Sequence, residues 1–204
     1  MMRVGLARAI EQNPRWKVCG QADNVVAALT AIEAAKPDLV MTDISLPGRS
    51  GLELIKELKA RYPEMLILVF SMHDELIYAE RVIRAGAKGY LTKGEPPEKL
   101  TQAIETILNG GIYLSGKASA QLLESLSGRK GSDQIGMERL TDRELEVFEL
   151  LGRGYNSERI GEALHIRPKT VDAHRSNLKT KLGAPDSSNL IRLAAIWVAK
   201  TENS

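Results

Sequence analysis

Asp38-Leu39-Val40-Met41-Thr42-Asp43-Ile44-Ser45-Leu46-Pro47-Gly48 decides the fold. An apolar run enters a carboxylate and then a Pro-Gly turn. A strand that is apolar throughout, rather than at alternate positions, is covered on both faces, which points to a parallel sheet sandwiched by helices. Two further runs repeat the theme. Leu66-Ile67-Leu68-Val69-Phe70-Ser71 ends in a hydroxyl, and Gly89-Tyr90-Leu91-Thr92-Lys93 ends in a cation. Helix-like segments alternate with them: Val4 to Gln12, the Ala-rich Val25 to Ala35, Gly51 to Arg61, Leu76 to Ala85 and Glu98 to Leu108. Lys17 to Ala22 reads as one more short strand, with Cys19 as a core residue within it. The pattern predicts an α/β domain.

In open parallel sheets, ligands sit beyond the carboxyl ends of the strands. Asp43, Ser71 and Lys93 fall there together. The carboxylate can act as a nucleophile toward a phosphoryl donor, the hydroxyl can bond phosphoryl oxygens, and the ammonium can offset their charge. Taken singly, each is a common turn residue; three on successive strand ends favour a site.

From residue 140 onward the pattern is all helix. Thr141 and Glu144 form a capping box, and Gly152 and Gly154 end that helix. Asn156 caps a second helix over 157–164. Pro168 opens a third over 168–182, which Gly183 stops. A fourth runs from Ser187 to Ala199. Ile160, Leu164, Ile166, Val171, Leu178 and Leu182 lie at helical spacing and form the expected core. Residues 115–126 read as a helix, and Ser127 to Gln134, polar and Gly/Ser-rich, as an exposed linker. The expected division is 1–114, a linker with a helix over 115–138, and 139–204.

The chain has 204 residues and a formal charge of +2. Arg167 to Lys181 alone carries five cations and one anion, Asp172, so a polyanion surface must be local. Lys169, Arg175, Lys179 and Lys181 are expected to project from the third helix, and duplex DNA is the polyanion such a helix fits. The lone Cys19 excludes an intrachain disulfide and fits a reducing compartment. No apolar stretch approaches a membrane span, and the N-terminus has no signal-peptide pattern. A soluble, cytoplasmic protein is expected.

The motifs Asp38 to Gly48, Val69-Phe70-Ser71, Gly86-Ala87-Lys88-Gly89-Tyr90-Leu91-Thr92-Lys93 and Leu140 to Gly183 resemble those of two-component response regulators of the NarL/FixJ type. That family joins a flavodoxin-like receiver to a LuxR-type helix-turn-helix domain. The resemblance implies a DNA-binding transcriptional regulator switched by a sensor histidine kinase. By it, Asp43 is the phosphoacceptor, Ser71 the hydroxyl that moves toward the phosphate, Tyr90 the aromatic switch and Lys93 the phosphate-binding cation. Apart from the resemblance, Tyr90 reads simply as an aromatic packed in a strand. The resemblance also implies Mg²⁺, for which Asp43 and the Ser45 backbone carbonyl are the plausible ligands here. Receivers open with a central strand ending in an acidic pair that holds the metal. This sequence begins at Met1-Met2-Arg3-Val4-Gly5-Leu6, where the first receiver helix aligns. Three explanations stand open: a start upstream of Met1, a truncated phosphorylation-dead chain, or a shorter receiver governed by protein contacts. Without the pair, little phosphate uptake from acetyl phosphate and Mg²⁺ is expected.

A helix-turn-helix lays its second helix in the major groove. Lys169, Asp172, Ala173 and Ser176 should point outward, with Thr170, Arg175 and Lys179 at the flanks. Cations on phosphates supply affinity, whereas Asp172, Ala173 and Ser176 are candidates for reading base edges. Asp172 equally suits a helix N-terminus through the dipole. His174 has no metal-binding neighbour in sequence and reads as structural or phosphate-contacting. Arg167 stands where the family often has a Ser or Thr cap. Leu190, Ile191, Leu193, Ala194, Ile196 and Trp197 of the last helix serve either intradomain packing or a homodimer contact on a two-fold operator. An enzymatic alternative is a phosphatase with Asp43 as nucleophile, but Ser45 stands where such enzymes place a general acid.

Overall fold

The computed structural model describes residues 2–47, 50–126 and 137–202. The expected linker, Ser127 to Gln134, lies outside the described residues, as does Gly48. The chain divides into two compact units, Met1–Ala120 and Gln121–Ser204.

In the first unit, β1 (Leu39–Thr42), β2 (Leu66–Ser71) and β3 (Gly89–Thr92) form a parallel sheet in the order β1-β2-β3. Leu39 pairs with Leu66, and Leu68 with Gly89, so all three strands end on one edge. The helices are α1 (Met2–Glu11), α2 (Val25–Ala35), α3 (Gly51–Arg61), α4 (Glu75–Arg84) and α5 (Pro97–Leu108). Polar side chains start three of them: Asn24 accepts from Ala27 N, Ser50 from Leu52 N and Asp74 from Leu76 N. Alternation along the strands splits the core. Leu68 and Leu91 pack with Leu100, Ala103, Ile104 and Ile107 of α5, and α1 covers the same cluster through Leu6 and Ile10. Ile67, Val69 and Tyr90 are buried on the opposite side of the strands.

Lys17 to Ala22 does not form the expected strand. A strand is stable only against a neighbour, and none lies beside this segment among the described residues. Cys19, expected in the core, is therefore exposed. Among the described residues β1 pairs only with β2. A cavity of about 770 Å³ runs between β1 and this segment, lined by Leu6, Trp16, Val18, Ala31 and Met41, and it reaches Asp43 and Lys93.

Past β3 the chain returns to the sheet. Tyr113 forms a parallel bridge with Gly89, where a β-carbon on the glycine would lie 2.8 Å from the Tyr113 carbonyl oxygen. The Ser115 amide then donates to Glu75 Oε1 at 2.9 Å, ahead of α6 (Gly116–Leu126). Burial raises the Glu75 pKa against these Ser115 hydrogen bonds.

The second unit packs α7 (Asp142–Gly152), α8 (Ser157–Leu164), α9 (Pro168–Leu182) and α10 (Ser187–Glu202). The Thr141–Glu144 capping box forms as expected. Leu145, Val147, Phe148, Leu151, Ile160, Leu164, Val171, Leu178, Leu190 and Ala194 fill the core. Ile166 and Leu182, expected there, are only partly buried. Gly152 lets α7 close on α10: a β-carbon there would lie 2.5 Å from the Ala194 carbonyl oxygen.

Candidate functional site

The sheet edge brings together the three residues that sequence placed at strand ends. Asp43 follows β1, Ser71 closes β2 and Lys93 follows β3. Ser71 Oγ donates to Asp43 Oδ1 at 2.7 Å, and Lys93 Nζ contacts Asp43 Oδ2 at 2.6 Å. The Ser45 amide adds a longer bond to Oδ1, at 3.3 Å. The backbone holds these groups in place. Lys93 N donates to the Ser71 carbonyl at 2.8 Å, and Gly51 N to the Ile44 carbonyl at 2.5 Å. Gly51 is required sterically, because a β-carbon there would lie 1.9 Å from the Asp43 carbonyl oxygen.

A second layer was not legible in the sequence. Ser45 Oγ hydrogen-bonds His73 Nε2 at 2.8 Å, and the His73 ring packs on Tyr78 at 5.0 Å between centroids. Tyr90 is 1 % exposed and donates its hydroxyl to the His73 carbonyl at 2.8 Å. It is thus both a packed core aromatic and a polar tie to the loop after β2. His73 carries no motif signal; only the approach of that loop to Ser45 reveals it.

Among the described residues no group of three His, Cys, Asp or Glu side chains forms a metal cluster. Asp43 and the Ser45 carbonyl alone fit Mg²⁺ poorly: they supply two of its six oxygen ligands, and the Lys93 ammonium already sits on Asp43 Oδ2. Both Asp43 oxygens already have protein partners.

In the second unit, α8 and α9 form the helix pair. Gly161 allows the turn between them, since a β-carbon there would lie 2.7 Å from the Ile166 carbonyl oxygen. Arg167 makes no side-chain cap, yet α9 begins at Pro168 and runs unbroken to Leu182. Proline at the first position removes one orphan amide and presets φ, which compensates for the missing cap. Lys169, Thr170, Asp172, Ala173 and Ser176 are exposed, and Arg175 and Lys179 are half-buried.

One expected surface charge, Lys181, behaves otherwise, and the exposed Asp172 is held by a neighbour. Lys181 does not project; its Nζ turns inward to Glu144 Oε2 at 2.6 Å. Glu144 has the stronger claim on it, being buried beneath α9. Burial raises the Glu144 pKa, but the bonds from Lys181 and Thr141 together outweigh it and hold the carboxyl below its ordinary range. Asp172 is engaged by Ser157 Oγ at 2.7 Å, and the same hydroxyl accepts from Arg175 Nη1 at 2.8 Å. Arg143, also buried, pairs with Glu146 and donates to the Leu164 carbonyl at 3.0 Å, tying α7 to the end of α8. His174 is half-buried, and burial and then the Arg143 charge lower its pKa. On α10, Leu190, Ala194 and Val198 are buried, Trp197 packs on Phe148 at 5.5 Å, and Ile191 and Ile196 are exposed. Among the described residues no helix is long and apolar enough to cross a membrane.

The response regulator receiver domain profile matches residues 1–105, and that of bacterial regulatory proteins of the luxR family matches 138–194. The transcriptional regulatory protein DegU of Brevibacillus brevis is 31% identical over 94% of this chain and 87% of its own length. The oxygen regulatory protein NreC of Staphylococcus aureus is 32% identical over 95% of this chain and 92% of its own. These relatives carry the names of regulators, not enzymes. A LuxR-family two-component response regulator from Aurantimonas is 33% identical over 62% of this chain and 90% of that one, with a TM-score of 0.57. RcsB of Salmonella enterica, solved on promoter rprA with the phosphomimetic BeF3⁻, shares the fold at 24% identity, with a TM-score of 0.61 over 94% of this chain and 92% of that one. With a receiver profile over half its length and a LuxR-type helix-turn-helix after it, the chain belongs to the NarL/FixJ-type response regulators, which carry a DNA-binding output domain.

Proposed function

We propose that this chain is a sequence-specific transcriptional regulator controlled by phosphorylation of Asp43 from a sensor histidine kinase in the cytoplasm. Its receiver spans 1–114, its linker 115–138 and its output domain 139–204. The observation that carries the control step is the closure of Ser71 and Lys93 on one carboxylate at the strand ends. An Asp43 oxygen attacks the phosphorus of a phosphohistidine. The O–P bond forms as the P–N bond breaks, and the departing imidazole nitrogen keeps the electron pair and takes a proton from water. Lys93 then faces the new negative charge. Ser71 exchanges its bond to Asp43 for one to a phosphoryl oxygen, and Tyr90 follows through its tie to the His73 carbonyl. The phosphate thereby favours one receiver state, as a switch requires.

On DNA, α9 enters the major groove, as in other helix-turn-helix proteins. Lys169, Thr170, Arg175 and Lys179 meet phosphates, while Ala173 and Ser176 read base edges, with Asp172 limited by its engagement with Ser157. Ile191 and Ile196 of α10 offer an apolar surface for a homodimer on a two-fold site. The RcsB–promoter complex supports this by analogy of fold.

A second reading, control by protein contacts without phosphorylation, is favoured by the poor fit to Mg²⁺ among the described residues. Radiolabelled phosphate separates the two. The first reading expects labelling from a phosphorylated kinase that Asp43→Ala abolishes together with activation of DNA binding. Regulation untouched by Asp43→Ala establishes the second. Acetyl phosphate with Mg²⁺ should label the chain poorly, and robust Asp43-dependent labelling would show that the metal site is complete.

A further inference from the structure

We propose that Ser157, on α8, is a positioning residue for DNA binding that acts through Arg175 on α9; this rests on the reading that α9 lies against duplex. The hydroxyl stands between two charges that do not hydrogen-bond each other directly. Arg175 Nη1 and Asp172 Oδ1 are 3.9 Å apart, beyond hydrogen-bond reach. Ser157 Oγ bridges them, accepting from Arg175 at 2.8 Å and donating to Asp172 at 2.7 Å. A serine hydroxyl has one proton to give, and here the geometry commits it to the carboxylate while a lone pair receives the guanidinium. Each bond polarises the other in the same sense, from cation through hydroxyl to anion.

The arrangement has three consequences for a DNA-facing helix. First, it fixes a side chain that is otherwise rotamer-rich, so less freedom remains to be lost when Arg175 meets a phosphate. Arg175 retains 22 % side-chain exposure, enough to present the far side of its planar fork. Second, the bridge joins the first residue of α8 to the middle of α9, setting the aim of the guanidinium from the helix that stays outside the groove. Third, it engages one oxygen of the exposed Asp172 carboxylate, which anchors the bridge and fixes that side chain beside Ala173 and Ser176.

The test uses the full chain and a mixed-sequence duplex of about 30 base pairs, followed by fluorescence anisotropy over a salt series of about 50 to 200 mM. Ser157→Val and Ser157→Thr have the same shape and differ in the hydroxyl. Ser157→Val should weaken binding about threefold to tenfold and flatten the log–log salt slope by up to about 0.9, the loss of one phosphate contact. Ser157→Thr should restore both. In an Arg175→Ala background Ser157→Val should add nothing, because its effect passes through the guanidinium. Wild-type affinity and slope for Ser157→Val overturn the proposal, as does an equal loss with and without Arg175, which would mean simple packing. Should Ser157→Val fail to fold, Ser157→Ala removes the same hydroxyl without a branched side chain and must likewise lose its influence on the slope once Arg175 is absent; a persisting influence overturns the proposal. An unchanged slope for Arg175→Ala overturns the placement of α9 itself, and is thereby distinguishable from failure of the Ser157 bridge alone.

Discussion

Replacing Lys181 by Met should unmask the cost of the carboxylate beneath it. Glu144 is 3 % exposed and keeps two groups near it, the Lys181 ammonium at 2.6 Å and the Thr141 amide at 2.7 Å. Methionine preserves most of the stem and removes the charge. Breaking a fully buried pair by deleting one partner costs ~3–5 kcal/mol. Lys181 retains a third of its side-chain surface, so solvent already screens part of the attraction. The Thr141 amide also remains, and a loss of about 2–3 kcal/mol at neutral pH follows. Its pH dependence is diagnostic. The folded Glu144 pKa is depressed, so the stability it contributes is present above the unfolded carboxylate value of about 4.3. That stability is lost as pH falls through the folded value. In Lys181→Met the lone carboxylate becomes easier to protonate, and the deficit relative to wild type should shrink below about pH 4. Urea denaturation followed by fluorescence reports it directly, because Trp197 packs on Phe148 in the same unit. Trp16→Phe in both proteins removes the other tryptophan's signal. A loss below about 0.5 kcal/mol at pH 7, the range of ordinary surface substitutions, or one that does not shrink between about pH 5 and pH 3, would refute the argument.

Gly51→Ala should destabilise the first unit severely, because its β-carbon would fall 1.9 Å from the Asp43 carbonyl oxygen. The expected result is a cost of at least about 3 kcal/mol in chemical denaturation, together with displacement of the Asp43 loop; an unchanged melting curve contradicts it. Lys169→Ala should weaken binding to all duplexes alike and reduce the salt slope by about 0.9. Ser176→Ala should leave the slope intact and change which sequences are recovered from a random pool. Equal scaling of all sequences by both variants would refute the division of labour on α9.

The strand-end trio was legible because topology does the work. Once three apolar strands are parallel, their last residues share an edge whatever the helices do, and Asp43, Ser71 and Lys93 need only occupy those ends. Caps were legible for a similar reason, since Thr141, Asn156 and Pro168 act within one turn of their own position. Lys17 to Ala22 was misread because β-propensity describes a side chain's fit to a sheet and cannot supply the neighbouring strand. Lys181 was misread because the pattern of α9 shows which face is polar, but not that Glu144, 37 residues earlier, lies buried under it. Ser157 left no signal: serine at a helix start is ordinary, and its two partners sit 15 and 18 residues downstream.

The cations of Arg167 to Lys181 therefore do not form one uniform basic stripe. Lys181 is consumed by the core, and Arg175 is shared with Asp172 through Ser157. Lys169 is exposed and Lys179 half-buried, which leaves them as the freer point charges of α9. Point charges grip any phosphate backbone and slide along it, whereas a fixed guanidinium fork holds one register. On the proposed reading, general affinity falls to Lys169 and Lys179, and alignment of the helix to Arg175. Specificity in such a domain then depends on whether Ala173 and Ser176 are brought to base edges in that register. A weak salt dependence that survives loss of Lys169 and Lys179, but not of Arg175, would be the mark of this arrangement.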